Sequence, residues 1–135
     1  MIALMLTLAL LGGDPFILLA EEEDGKLELD PGSVAINGGI VRATAHLTPG
    51  QNRGYAVSQA DVRVDCPSST ITWLAVRTYD ETGAELQSVE IPAELQKAEP
   101  LYRETPYAGL HARYCSGALP PPPPPLPPPV AVPRS

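Results

Sequence analysis

Histidines and carboxylates are the first candidates for chemistry in this sequence. The chain contains two histidines, His46 and His111, and neither lies at a metal-ligand spacing from a second donor residue. The acidic run from Glu21 to Asp24 could supply oxygen ligands to a hard cation. Neighbouring residues of a strand point to opposite faces, however, which favours a solvated turn at this run.

Other catalytic patterns do not occur in the sequence. It has no nucleophile elbow, phosphate-binding loop, CxxC pair or zinc-protease motif, and its serines lack the accompanying base that would indicate a triad. The sequence therefore predicts a protein without enzyme activity, without catalytic or metal-binding residues and without a cofactor.

The chain has two cysteines, and their positions favour a disulfide bond between them. Cys66 ends a run in which alternate residues are small or apolar, so its side chain is predicted to point towards the core. Cys115 lies on the arc of a predicted helix that would pack against a sheet. A bond would close a loop of about 50 residues and stabilise the fold by roughly 4 kcal/mol in the chain-entropy model. The alternative is two buried free thiols, as in cytosolic proteins.

Strands must position most of these side chains. Alternation with a period of two residues runs from Phe16 to Ile91 and predicts an antiparallel sheet. Within it, Asn37-Gly38 is the pair that a two-residue type I′ hairpin turn requires. In the later run TITWLAVRTY, regular alternation places one set of residues on a common face: Ile71, Trp73, Ala75 and Tyr79.

A C-terminal helix is predicted after Glu104. Thr105 is a good N-cap, Pro106 suits the first helical position and Gly117 lies just past the end. A shorter helix is predicted for residues 93–99. The fold class that follows is α+β, with an antiparallel β-sheet of about five to six strands packed against a C-terminal helix and one disulfide.

Composition divides the chain into three parts. Residues 1–13 are an apolar stretch with the length of a secretory signal core, although a membrane anchor and a buried strand are alternatives. Residues 14–118 form one domain. Residues 119–135 are a polyproline tract, predicted to be an extended, disordered tail without core contacts. It is interpreted as a spacer, and the alternative is a ligand for an aromatic-lined groove.

Charge narrows the range of partners. The net charge is -7, and the basic residues are spread singly along the chain without forming a basic stripe. Long-range attraction to nucleic-acid phosphates or anionic lipids is therefore not expected, and no nucleic-acid partner is predicted. No stable membrane span is expected either, because Asp14-Pro15 interrupts the N-terminal apolar stretch.

The order of these features resembles the surface-adhesin protein E-like family, small exported proteins of Gram-negative bacteria. The similar segments are LDPGSVAINGGIVRATAHL, VSQADVRVDCPSSTITWLAVRTYDETGAEL and ETPYAGLHARYC, which lie between Leu29 and Cys115. The resemblance implies an antiparallel sheet packed against a C-terminal helix and tied by a disulfide between Cys66 and Cys115. It also implies a host extracellular-matrix protein as a partner.

The function predicted from these features is that of an exported, non-enzymatic binding module in the periplasm or on the outer cell surface. The alternatives are an adhesin for host matrix proteins, a structural periplasmic protein and a small-molecule carrier. The predicted contact surface is the exposed side of the sheet and its loops, where polar and aromatic groups can meet a partner. Its candidate residues are Arg42, Thr44, His46, Arg53 and Tyr55.

Overall fold

The computed structural model describes residues 15–51 and 53–125. The predicted signal segment 1–13 and the end of the polyproline tract, residues 126–135, lie outside the described residues. Within the described part, no helix is long and apolar enough to cross a membrane.

The described residues form an antiparallel sheet of seven strands and one α-helix. The first six strands pair in sequence order, and the seventh pairs with the start of the fifth. The bounds are β1 (Ile17–Glu22), β2 (Gly25–Asn37), β3 (Ile40–Pro49), β4 (Val57–Asp65), β5 (Thr70–Tyr79), β6 (Glu85–Glu90), β7 (Glu99–Pro100) and α1 (Ala108–Tyr114). A short 3-10 helix, Ala93–Leu95, lies between β6 and β7.

The α+β fold predicted from the sequence is confirmed. The sheet is antiparallel throughout, a helix follows it in the chain, and Cys66 is bonded to Cys115. The seven strands exceed the expected number because the two-residue strand β7 pairs with β5 beyond the end of β6. The helix predicted at residues 93–99 is reduced to a single 3-10 turn.

We call the side of the sheet that packs against the C-terminal segment the inner face, and the opposite side the outer face. Alternate residues of the central strands meet the C-terminal segment on the inner face, as the period of two requires. The buried core consists of Leu29, Val41, Ala43, Ala60, Val62, Val64, Ile71, Leu101, Leu110 and Leu119. Burial of each large side chain in this set contributes about 1.5–3 kcal/mol relative to its exposure to water.

Helix α1 is held on the inner face by three kinds of contact. The disulfide joins its C-terminal end to the end of β4, with 5.4 Å between the two Cα atoms. At its N-terminal end, the ring of Tyr107 packs edge-to-face against Trp73 with 5.4 Å between centroids. Gly109 allows close approach to β1, because a Cβ atom there would lie 3.1 Å from the Leu19 side chain. A helix of seven residues is too short to be stable alone, so these contacts maintain it.

The helix begins later than the sequence predicts. The hydroxyl of Thr105 donates to the Tyr102 carbonyl at 2.8 Å, and no side chain caps the helix. Residues 105–107 form turns instead, and the first helical residue is Ala108. The predicted end is correct, since Gly117 follows the helix with a positive φ of 90°.

A β-bulge in β5 overturns the face assignment made from regular alternation. Trp73 pairs with Val62 but Ala75 pairs with Asp61, so Leu74 is the additional residue. Ile71 and Trp73 therefore face the core, whereas the residues after the bulge change sides. The residues that move to the outer face are Ala75, Arg77 and Tyr79.

The start of the polyproline tract also differs from the prediction. Leu119 is 8% exposed and belongs to the core, and the Arg103 amide donates to the Pro120 carbonyl at 2.9 Å. The predicted absence of core contacts from residue 119 onwards is therefore wrong at Leu119. The reason is that a leucine directly before the prolines can still fill the space beside α1, whereas residues 120–125 are exposed.

The disulfide should be present in protein isolated without reductant and should dominate stability. We expect the intact mass to be two hydrogens below that of the reduced chain, and the paired variant Cys66→Ala/Cys115→Ala to lose roughly 4 kcal/mol of unfolding free energy. Non-reducing mass spectrometry and urea denaturation measure the two quantities. Two alkylatable thiols in the native sample would contradict the assignment.

Substitution within the C-terminal tract should separate its packed residue from its exposed ones. Leu119→Ala should lower the free energy of unfolding by roughly 2–5 kcal/mol, because it deletes a buried leucine side chain. Pro122→Ala is the matched control and should leave the value nearly unchanged, since Pro122 is exposed. Equal effects of the two substitutions in urea denaturation would show that Leu119 does not pack as described.

Candidate functional site

The outer face carries a connected group of polar side chains. They come from strands β3, β4 and β5, which lie next to one another in the centre of the sheet. The bulge at Leu74 creates the group, because it turns Arg77 and Tyr79 towards the residues of β4 that point away from the core. We call the residues Thr44, His46, Gln59, Asp61, Arg77 and Tyr79 the outer-face network.

An ion pair between Arg77 and Asp61 is at the centre of the network. One terminal nitrogen of Arg77 donates to both carboxylate oxygens of Asp61, at 2.9 and 3.0 Å. The hydroxyl of Thr44 donates to the same carboxylate at 2.7 Å. The hydrogen bond to Asp61 raises the pKa of Arg77 above its usual range, so this guanidinium keeps its charge. Both partners are partly shielded from water, with side-chain exposures of 24% and 33%.

Gln59 connects the ion pair to the aromatic end of the network. Its side-chain oxygen accepts from the Arg77 Nε at 2.9 Å and from the Tyr79 hydroxyl at 3.1 Å. These two donors fix the orientation of the amide. Its nitrogen then faces the Nε2 atom of His46 at 3.5 Å, a long contact that suits a neutral imidazole accepting at that nitrogen.

His46 is held between this amide and an aromatic ring. The ring of Phe16 lies against it with 4.5 Å between centroids and 35° between planes. Burial lowers the pKa of His46, with a smaller contribution from the charge of Arg77. Asp30 and Glu28 oppose the shift but do not cancel it. The environment of His46 therefore favours the neutral imidazole.

An exposed apolar edge lies beside the network. Phe16 is 45% exposed and Leu18 is 50% exposed, and Leu18 pairs with Glu28, which in turn pairs with His46 across the sheet. Polar groups held in fixed positions next to exposed aromatic and aliphatic side chains are the composition of a protein-binding surface. The arrangement presents hydrogen-bonding groups and apolar side chains side by side on the outer face.

The predicted contact residues fall in two places. Arg42 and His46 lie on the outer face of β3, on the same side as Thr44. Arg53 and Tyr55 instead line a cavity of about 230 Å³ at the end of the sheet, together with Glu22 and Pro106. The five candidates therefore do not form one site, and the outer face contains three of them.

Sequence reasoning missed the central residues of the network. Regular alternation would place Arg77 on the inner face beside Trp73, although an arginine is rarely buried without a partner. That conflict was the available signal for a bulge between the two residues. Asp61 and Gln59 were recognisable as polar-face residues of β4, but their hydrogen bonds depend on the position of Arg77.

The second histidine has a different environment. His111 is 2% exposed and lies on α1 among the packed residues. Its Nε2 atom has no hydrogen-bond partner among the described residues. Within residues 15–51 and 53–125, no group of three or more histidine, cysteine or acidic side chains could hold a metal ion.

Comparisons with models of protein families, with curated proteins and with solved structures give no match to this chain. The resemblance to the surface-adhesin protein E-like family therefore stays a prediction, and the function is inferred from the outer face itself.

The lowered pKa of His46 predicts a pH-dependent part of the stability. At a pH well above about 6.5 the residue is neutral in both states and contributes nothing. As the pH falls below this value, the unfolded chain gains a proton that the folded protein resists, so the free energy of unfolding decreases. The decrease stops below the folded pKa.

Urea denaturation at pH 7.5 and 5.5 measures this contribution. His46→Gln should lose less stability between the two values than the wild-type protein, because glutamine does not titrate. The carboxylates are the same in both proteins, so their contributions to the loss of unfolding free energy cancel in the comparison. Equal losses in the two proteins would contradict the assignment of a depressed pKa to His46.

Proposed function

We propose that the protein is an exported, non-enzymatic binding module that recognises a protein partner through its outer face. The observation that carries the proposal is the position of the outer-face network beside two exposed apolar groups. These groups are the ring of Phe16 and the side chain of Leu18. Its side chains are already held by one another before a partner arrives, which lowers the entropy cost of binding.

The disulfide supports the export part of the proposal. Bonds of this kind persist in oxidising compartments such as the periplasm and the cell surface, and they are rare in the cytosol. The link between Cys66 and Cys115 belongs to the core of the fold, since both residues pack against the buried cluster. A small domain with such a link suits an oxidising environment.

The chemistry of the network supports recognition rather than catalysis. A general base needs a nucleophile or a substrate proton within hydrogen-bonding reach. The contacts of His46 are instead the amide of Gln59 and the ring of Phe16. Asp61 is occupied by three hydrogen bonds from Thr44 and Arg77. An adhesin for host matrix proteins is the form of this function that the family resemblance favours.

Affinity capture with the disulfide-intact full chain tests the proposal. Extracts of host matrix and of the bacterial periplasm supply the candidate partners, and capture is repeated at low and about 0.5 M salt to screen charge contacts. A purified partner should bind the double variant Phe16→Ala/His46→Ala at least roughly ten-fold more weakly, equivalent to about 1.4 kcal/mol. Arg113→Ala, an exposed substitution on α1, is the control and should bind normally.

Two results would contradict the proposal. An unchanged affinity of the double variant for the purified partner would exclude the outer face as the contact surface. Recovery of the native protein in the cytosol, with free thiols, would exclude export. Surface labelling with a membrane-impermeant reagent and osmotic release then distinguish a cell-surface adhesin from a periplasmic protein.

A further inference from the structure

Two arginines stand directly opposite each other on the outer face. Arg42 of β3 and Arg63 of β4 are cross-strand partners in a continuous antiparallel register. Residues in this relation have Cβ atoms about 4.5–5.5 Å apart, and like charges placed there are destabilising. The pair lies towards the end of the sheet that carries the β2–β3 hairpin turn, away from Arg53 and Tyr55.

Within the described part of the chain, neighbouring carboxylates do not form ion pairs with these two arginines. Among the described residues, neither guanidinium makes a hydrogen bond or an ion pair. The nearest acidic residues of β4 have other hydrogen-bond partners. Asp61 binds Arg77, and Asp65 accepts a hydrogen bond from the Ser68 amide at 3.1 Å. The protein has an excess of acidic residues, so the lack of a partner here is not due to a shortage of carboxylates.

A surface depression of about 630 Å³ lies beside the two arginines. Arg42, Arg63 and Asp65 line it together with Asn37, so its lining contains two positive groups and one negative group. Arg42 also borders a second depression of about 390 Å³, which contains Thr44 and Asp61 of the outer-face network. A group bound between the arginines would therefore lie next to the network.

We propose that Arg42 and Arg63 form a binding site for a carboxylate. The planar donors of a guanidinium match the two oxygens of a carboxylate, and a bound anion would remove the repulsion between the two arginines. Phosphate shares much of this hydrogen-bonding geometry. The overall charge of -7 opposes highly charged polyanions, which favours a small carboxylic acid or an acidic side chain of a partner. The site stands independently of the proposed protein partner.

Titration of the isotope-labelled full chain with sodium glutarate tests the site, at constant ionic strength and in a buffer without other oxyanions. We expect the backbone amide and side-chain Nε signals of Arg42 and Arg63 to shift in a saturable way. Arg42→Gln and Arg63→Gln should each weaken binding roughly ten-fold or more, since each removes a charge-assisted contact. Arg113→Gln is the matched control and should bind as the wild-type protein does, because Arg113 is an exposed arginine on α1.

Thermal unfolding shows whether the variants are folded. It also tests the repulsion between Arg42 and Arg63. Without added anion, Arg63→Gln should unfold at the same temperature as the wild-type protein or a higher one, because it loses a like-charged neighbour. Glutarate should raise the unfolding temperature of the wild-type protein and leave that of Arg63→Gln unchanged. An effect of glutarate that persists in both arginine variants, or no effect on the wild-type protein, would overturn the proposal.

A parallel titration with sodium phosphate identifies the preferred anion. Tighter binding of glutarate than of phosphate supports a carboxylate site. Tighter, arginine-dependent binding of phosphate would overturn the carboxylate assignment and indicate a phosphate site at the same two residues.

Discussion

The inner face of the sheet depends on a covering segment that has little regular structure of its own. The chain from Leu101 to Leu119 contains one helix of seven residues, turns and extended backbone. Such a segment cannot stay folded by helix propensity, because nucleation costs more than a few hydrogen bonds return. It is held by the bond between Cys66 and Cys115, by Leu110 and Leu119 in the core, and by the contact of Tyr107 with Trp73.

The bulge at Leu74 allows one strand to serve both faces of this sheet. Before the bulge, β5 supplies Ile71 and Trp73 to the core, and after it the same strand supplies Arg77 to the outer face. A regular strand would have buried the guanidinium among apolar side chains, at a cost of several kcal/mol. One inserted residue removes that cost, and it also places the charge where Asp61 and Gln59 can bind it.

The features that the sequence predicted are those that local chemistry determines. The hairpin between β2 and β3, the inward cysteines and the helix end before Gly117 each depend on residues a few positions apart. The turn of that hairpin is shifted by one residue from the predicted Asn37-Gly38, because Asn37 pairs with Ile40 and the two residues with positive φ are Gly38 and Gly39. The features that it missed depend on distant partners. The late start of α1 and the burial of Leu119 arise where the C-terminal segment packs on the sheet, and the bulge at Leu74 arises in the pairing of β5 with β4. The outer-face network was missed for the same reason, because its central ion pair joins residues from two strands.

The arginines of the outer face differ in how well their charges are paired. Arg77 is surrounded by acceptors that raise its pKa and fix its position, so that part of the face is satisfied within the protein. Arg42 and Arg63 oppose each other without such acceptors among the described residues. A glutamate at either position would stabilise the sheet by removing the repulsion. Proteins depart from the most stable arrangement mainly at sites of function. The unmatched pair of arginines is therefore the place where the proposed external carboxylate would relieve a repulsion that the fold itself leaves.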